Sequence, residues 1–301
     1  MTNESWPALP FEEWQETCET LHMWTQVVGK IRLALTPLVN HWWNVPLYIS
    51  SRGLTTSAMP YGERLFEIDF DFIEHLLRIS CSDGRTQTLP LVPRTVADFY
   101  REVFEKLAQL DINVKIWTMP VEVENPTRFE QDTHHASYDA VSVEKFWRVL
   151  MQADRVFKEF RARFTGKVSP VHFFWGSFDL AVTRFSGRPA PPREGADSIT
   201  REAYSHEVIS HGFWPGSAAA PAAAFYSYTA PEPEGLSRVA VRPPEAFYST
   251  ELKEYLLRYE DVRRADAPAQ ALLEFLQSTY EAGANLAAWE RASLERTPPR
   301  T

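Results

Sequence analysis

The chain has 301 residues, of which 44% are hydrophobic, and carries a formal net charge of −9 with a pI near 5.5. This charge disfavours duplex DNA and anionic membranes as partners, because both attract cationic surfaces. Only Cys18 and Cys81 are present, which excludes a disulfide framework and a thiolate metal site. No signal peptide or long apolar run is recognisable. We therefore expect a cytoplasmic protein that binds neither nucleic acid nor membranes.

The first third of the chain predicts one helix and a run of short strands. Apolar residues at spacings of three and four predict an amphipathic helix over residues 11–28, and strict alternation predicts a strand over residues 29–35. Further strands are predicted at residues 42–50, 65–71, 76–80, 86–91 and 113–118. Thr95 and Asp98 resemble a capping box that starts a second helix. Short strands joined by tight turns predict a mainly antiparallel sheet beneath that helix.

The rest of the chain repeats this order of elements. Ser142 opens a long helix that ends near Gly166, and one long aromatic strand is predicted over residues 171–184. The segments EAYSHEVISHGFWPG and AAFYSYTAPEP predict two more strands, and residues 269–289 predict a last helix. We therefore predict an α+β fold in a single compact domain over residues 1–301. Its antiparallel sheets would be covered by long amphipathic helices.

Two aromatic segments suggest an internal duplication. The motif HWW followed by SRG in the first half is matched by HFFW followed by SGR in the second half. A duplication would give two related sheet-plus-helix halves, at residues 29–118 and 168–290. A ligand pocket would then lie between the halves, because ligand sites favour such junctions.

Standard catalytic and nucleotide-binding fingerprints are absent from the sequence, which lacks GxGxxG, GxxxxGK[ST], GxSxG and HExxH. Aromatic residues make up 13% of the chain and include ten tryptophans. Buried Trp and Tyr need hydrogen-bond partners, so this content predicts polar pockets beside apolar packing. A densely packed aromatic core is the structural alternative.

Glu207 and His211 are the most informative pair of ionisable residues. They are four positions apart, so they share a face in a strand and in a helix. A carboxylate and an imidazole on one face can form an acid/base pair, or ligate a divalent metal together with a third group. His206 would lie on the other face of a strand. The structural alternative is a hydrogen bond between two partly buried side chains.

The long aromatic strand is mostly apolar on both predicted faces, which indicates a central strand covered on both sides. His172 lies on one predicted face, and Trp175 and Asp179 lie on the other. Burial of His172 or Asp179 without partners would be costly, so both are candidate site residues. An ion pair of Asp179 with Arg184 or Lys167 is the structural alternative.

A polar loop and several cations complete the candidates. The loop FEQDTHHASYD holds His135 among carboxylates and a tyrosine, and a solvated loop without a function is the alternative. Arg52 and Arg184, together with Lys30 and Arg32, fall in or at the ends of predicted strands. These cations could bind a carboxylate or a phosphate, because arginine makes bidentate contacts with both groups.

Several long segments carry a resemblance to a known family. They include NHWW, GLTTS, SPVHFFWGSFDLAVTRFSGR and YSHEV followed by GFWPG. At these segments the chain resembles, over nearly its whole length, a bacterial family known as a domain of unknown function. The resemblance implies one architecture, and it carries no reaction, cofactor or catalytic residue.

The candidates favour an enzyme that acts on a small polar or anionic metabolite in an aromatic pocket. The predicted catalytic residues are Glu207, His206, His172 and Asp179, and the predicted substrate-binding residues are Arg52, Arg184, His135 and Trp175. A divalent metal is one option for a cofactor, with Glu207 and His211 as candidate ligands. The alternatives are a non-catalytic small-molecule-binding protein and a protein whose buried polar groups only stabilise the fold.

Overall fold

The computed structural model describes residues 5–296 and combines long helices with short strands. Within these residues the α-helices are α1 (Gln15–Leu35), α2 (Val96–Gln109), α3 (Ala140–Ala162), α4 (Ser198–Ala203), α5 (Tyr259–Arg264), α6 (Pro268–Leu286) and α7 (Arg291–Leu294). The predicted start of α2 is confirmed, because the Thr95 hydroxyl accepts a hydrogen bond from the Asp98 backbone N–H at 3.0 Å. No helix in this part of the chain is long and apolar enough to cross a membrane.

The first sheet is an antiparallel meander, as predicted. Its strands are β1 (Tyr48–Ile49), β2 (Gly53–Thr55), β3 (Met59–Tyr61), β4 (Arg64–Asp71), β5 (Leu76–Cys81) and β6 (Thr86–Pro90). Their order across the sheet is β1-β2-β4-β5-β6, with β3 paired to β4. In β4, Phe66, Ile68 and Phe70 are buried and alternate with more polar residues, which explains why the sequence predicts this strand correctly.

The second sheet is also antiparallel and carries the candidate site. Its strands are β7 (His172–Phe174), β8 (Asp179–Pro189), β9 (His206–Trp214), β10 (Ala224–Ala230), β11 (Phe247–Ser249) and β12 (Glu254–Arg258). Their order across the sheet is β11-β12-β10-β9-β8-β7. Consecutive strands therefore pair with one another from β7 to β10, and β12 comes between β10 and β11.

The two sheets meet where Leu47 and Phe173 exchange backbone hydrogen bonds of 2.9 Å each, so that β1 lies beside β7. One hydrophobic cluster extends from Trp6 to Trp289 and includes residues of both sheets and of the long helices. The α+β fold with two antiparallel sheets is confirmed. The single domain and the internal duplication stay predictions.

The predicted strand over residues 29–35 is wrong, because α1 continues through it to Leu35. Leu21, Trp24 and Ile31 are fully buried at spacings of three and seven, which are helical spacings. Judged by alternation alone, these seven residues fit a strand. These residues continue the helix instead, because its continuous buried stripe removes more apolar surface from water than a strand would.

The predicted long strand over residues 171–184 is also wrong, because the chain reverses direction inside it. β7 and β8 form an antiparallel hairpin in which Phe174 pairs with Asp179. Phe178 has a φ of 58° in the connecting turn, a conformation that a strand residue does not adopt. As a result His172 and Asp179 share one face of the sheet, whereas a single strand would place them on opposite faces.

Two other predicted strands are replaced by irregular backbone. Residues 113–118 form no strand, and within residues 42–50 strand pairing is confined to Tyr48–Ile49 in β1 and the bridge at Leu47. A 3-10 helix at Asn40–Trp42 comes before β1. Pro46 then interrupts the segment, because proline has no N–H to donate to a neighbouring strand.

Candidate functional site

The strands of the second sheet present two chemically different faces. On one side α3 and α6 cover the sheet, where Phe160 and Thr279 both contact His211 of β9. We call this side the helix face. On the other side the alternation of the strands places a set of polar side chains, which we call the polar face: Asp179, Thr183, Ser210, Tyr226, Tyr228 and Glu254.

Asp179 is the most constrained group of the polar face. It is 6% exposed, and its carboxylate accepts hydrogen bonds from the hydroxyls of Ser177 and Tyr226. Burial raises the pKa of Asp179, although both hydrogen bonds oppose that rise. Gly212 makes this arrangement possible, because a Cβ at that position would lie 2.2 Å from the Tyr226 ring.

Two further carboxyl groups lie near Asp179. Burial, followed by the negative charge of Asp179, raises the pKa of Glu254 to about 7. The same two causes raise the pKa of Glu122, which reaches the site from the segment before α3 and contacts Gly176. Negative charges repel one another strongly where little water is present. At neutral pH the carboxyl groups of this cluster are therefore partly protonated.

Hydroxyl groups continue the polar face away from the carboxyl groups. The Tyr228 hydroxyl lies 2.8 Å from the Tyr204 hydroxyl, and the Thr183 and Ser210 hydroxyls are 2.9 Å apart. Tyr226 and Tyr228 stack with their ring centres 6.1 Å apart, and both are partly exposed. These groups can donate and accept hydrogen bonds, so the face suits a polar ligand rather than an apolar one.

His172 lies on the same side of the sheet and lacks hydrogen-bond partners. It is 1% exposed, and neither ring nitrogen has a partner in the described structure. Its ring contacts the rings of Trp43, Tyr48 and Phe174. Burial, with a smaller effect of nearby Arg32, lowers the pKa of His172 to about 3. The imidazole is therefore neutral at physiological pH and has an unused N–H.

Arg32 lies near His172 and has no acidic partner in the described part of the chain. Its guanidinium lies 5.6 Å from the centre of the Tyr48 ring and donates to the Thr56 carbonyl oxygen. Its Nε is buried and has no hydrogen-bond partner in the described structure. A buried guanidinium in this state can pair with an anionic group of a ligand.

His206 lies at the opposite end of the sheet. It is seven residues before Phe213, which pairs with Leu180, so more than roughly 20 Å of strand separate it from Asp179. Its ring contacts His41, whose Nε2 lies 2.6 Å from the Lys167 amine. One small molecule cannot contact both Asp179 and His206.

Glu207 and His211 share the helix face, but each has a different partner. The Glu207 carboxylate accepts hydrogen bonds from Arg188 at 2.7 and 2.9 Å near the protein surface. The His211 imidazole is fully buried and lies 3.1 Å from the Thr279 hydroxyl. Within residues 5–296 no three His, Cys, Asp or Glu residues are placed to hold a metal ion.

The predicted substrate-binding arginines lie apart from the polar face. Arg184 is buried in the helix face, where its guanidinium stacks 3.4 Å from the centre of the Phe160 ring. Arg52 is bound to the Asp71 carboxylate at 2.6 Å, in the loop between β1 and β2. Neither guanidinium lies beside Asp179.

The remaining predicted binding residues make local contacts. The His135 Nδ1–H donates to the Asp132 carboxylate at 2.7 Å within its own loop. Trp175 donates its indole N–H to the Val45 carbonyl oxygen at 2.9 Å and packs against α1. Of the eight predicted site residues, the structure thus places only His172 and Asp179 near each other on the side of the polar face, because His206 lies at the far end of that side.

No sequence prediction included Tyr226, Tyr228 and Glu254 of the polar face, or the neighbouring Glu122. One signal was available: in AFYSY the two tyrosines are two positions apart, so they must share a face of a strand. No local pattern connects Glu254 with Asp179, because the residues are 75 positions apart and meet through β9, β10 and β12.

Two cavities, of about 210 and 270 Å³, lie away from the polar face. The first is formed by β4 and β5 around Glu67 and Ser80, and the second lies between Pro243 and α5. On the polar face itself, Tyr226, Tyr228 and Glu254 are each partly exposed.

Comparison with known proteins gives one assignment. No curated protein and no solved structure matches the chain. A family model described as a family of unknown function, DUF5996, matches residues 6–296. This match spans both sheets and all the helices described above. The chain therefore belongs to the family of unknown function DUF5996.

Proposed function

We propose that this protein is an enzyme that acts on a small polar metabolite at the polar face by general acid–base catalysis. The observation that carries the proposal is the pair formed by Asp179, buried and held by two hydroxyls, and Glu254, whose pKa is raised to about 7. A group whose pKa lies near the working pH transfers protons most effectively in both directions. Glu254 would donate and accept the proton, and the negative charge of Asp179 would help to keep the pKa of Glu254 raised.

The neighbourhood of His172 supports a ligand that also carries an anionic group. His172 pairs with Ala181, which is two residues from Asp179, so the Cα atoms of His172 and Asp179 lie roughly 9 Å apart. The unpartnered His172 N–H and the Arg32 guanidinium would bind a carboxylate at this distance. A small hydroxy acid or amino acid has the length to reach from there to the carboxyl groups.

The proposal is tested with a panel of small hydroxy and amino carboxylic acids. Binding is measured by thermal shift, and turnover of each hit is followed by mass spectrometry. For a turned-over compound we expect Asp179→Asn and Glu254→Gln to lower kcat by about 10²- to 10⁴-fold, the usual size of general acid–base contributions. The matched control is Glu207→Gln, which changes a carboxyl group on the helix face of the same sheet.

Unchanged turnover in folded Asp179→Asn and Glu254→Gln variants would contradict the proposed site. The same holds for equal losses in the Glu207→Gln control, because a general loss of stability would then explain all three variants. Circular dichroism and a denaturation curve on each variant separate loss of fold from loss of chemistry.

A second candidate function is binding without catalysis. It is favoured by the partial exposure of Tyr226, Tyr228 and Glu254, because enzymes commonly exclude water from reacting groups. In that case compounds of the panel would shift the melting temperature, the shift would depend on Asp179, and no product would form.

A further inference from the structure

Lys30 is a buried residue whose amine lies beside two indole rings. It lies in α1 and is 4% exposed. Its Nζ is 4.8 Å from the centre of the Trp117 ring and 5.8 Å from the centre of the Trp175 ring. Within residues 5–296 it has neither a hydrogen-bond acceptor nor a carboxylate at ion-pair distance. The described contacts of the amine are therefore those with the two indole rings.

The two walls of this site differ in how firmly they are held. Trp175 is fixed, because its indole N–H bonds to the Val45 carbonyl oxygen and its ring packs on Gly29, where a Cβ would lie 2.3 Å away. Trp117 lies in a segment without helix or strand and is 62% exposed, although it is a large apolar side chain. The amine is therefore separated from solvent on one side by Trp117.

This environment changes the acid–base state of the amine. Burial lowers the pKa of Lys30 to about 8, and no nearby charge is needed to explain the shift. At pH 7.5 about a quarter of the Lys30 amines would be neutral, against about one in a thousand for a lysine with the ordinary pKa. Only the neutral amine is a nucleophile.

We propose that Lys30 is a nucleophilic site that forms an imine with an aldehyde or ketone of an aromatic compound. The amine adds to the carbonyl carbon and its proton passes to the carbonyl oxygen. Loss of water from this adduct leaves a carbon–nitrogen double bond. The flanking indole rings favour an aromatic carbonyl compound, because aromatic rings stack on one another. This site is independent of the acid–base function proposed for the polar face.

Reductive trapping tests the site in the full-length protein. The protein is incubated with 4-carboxybenzaldehyde and sodium cyanoborohydride at pH 7.5, and the modified lysines are identified by peptide mass spectrometry. Lys115 is the matched control, because it is exposed and lies only two residues from Trp117. We expect Lys30 to be labelled at least about tenfold faster than Lys115, because only the neutral amine reacts and burial lowers the pKa of Lys30 to about 8.

Two variants and a pH series decide between a reactive amine and a purely structural one. Trp117→Ala should hydrate Lys30 and so move the midpoint of its labelling rate upwards from near pH 8, towards the ordinary value for a lysine. Lys30→Met should remove the fast labelling and leave that of Lys115 unchanged. Labelling of wild-type Lys30 no faster than that of Lys115, or a midpoint above pH 10, would overturn the proposal.

Discussion

The two faces of the second sheet carry buried ionisable groups of opposite sign. On the helix face, burial lowers the pKa of Arg184 to about 9 and that of His211 well below its ordinary value. On the polar face, burial raises the pKa values of Asp179 and Glu254. Both sets are taken out of water by the same strands. They differ in what covers them: two long helices cover the helix face, whereas the polar face is partly exposed.

This difference shows that burial of an ionisable group does not by itself identify a functional site. Arg184 is sealed between the rings of Phe160 and Tyr280 and donates to a backbone carbonyl, although its buried Nε has no hydrogen-bond partner in the described structure. Glu254 is partly exposed and is not enclosed in this way. A shifted pKa combined with access for a ligand identifies a functional site better than burial alone does.

The largest expected effect is on the helix face. Arg184→Ala should lower the free energy of unfolding by about 3 to 5 kcal/mol, because it leaves a cavity between stacked rings. Arg184→Met fills the space without a buried charge and should cost less than about 2 kcal/mol. Urea denaturation of both variants measures the difference. Equal effects of the two substitutions would mean that the charge, rather than the packing, stabilises this face.

A smaller effect is expected from overpacking the polar face. Gly212→Ala should cost about 1 to 3 kcal/mol, because its Cβ would overlap the Tyr226 ring that bonds to Asp179. In a Tyr226→Ala background the same substitution should cost much less, since the overlapping ring is absent. A double-mutant cycle by denaturation checks this. If the two substitutions change the free energy of unfolding additively, the Tyr226 ring does not pack against Gly212.

The carboxyl groups of the polar face predict a pH dependence of stability. The folded pKa of Glu254, about 7, exceeds its ordinary value of 4.5, so the folded state binds the proton more tightly than the unfolded state. This contribution is complete below about pH 4.5 and is lost as the pH rises to 7, by up to about 3 kcal/mol. Glu254→Gln should flatten the curve in that window. A slope identical to that of the wild type would contradict the raised pKa.

The smallest effect is expected for the surface pair Arg188–Glu207, at the rim of the helix face. Arg188 is nearly half exposed, so Arg188→Ala should change the free energy of unfolding by less than about 1 kcal/mol. Melting curves at low and high salt measure the change. A loss above 2 kcal/mol would show that this pair stabilises the fold in the way that Arg184 does.

Local patterns predicted the elements that fold from neighbouring residues. The meander of the first sheet, the capped start of α2 and the amphipathic helix α6 follow from alternation, turn residues and apolar spacing. Patterns failed at residues 29–35 and 171–184, where the same residues fit two structures. Contacts with distant parts of the chain selected one of them.

The sequence by itself determined the class of the fold and most of its main elements, and it pointed to two residues of the candidate site, His172 and Asp179. The tertiary structure alone decided that these two side chains share a face, because that depends on a chain reversal between β7 and β8. It alone decided that Glu254 joins Asp179 while Glu207 pairs with Arg188. Strand register over long separations sets these neighbours, and no local pattern of residue types encodes it.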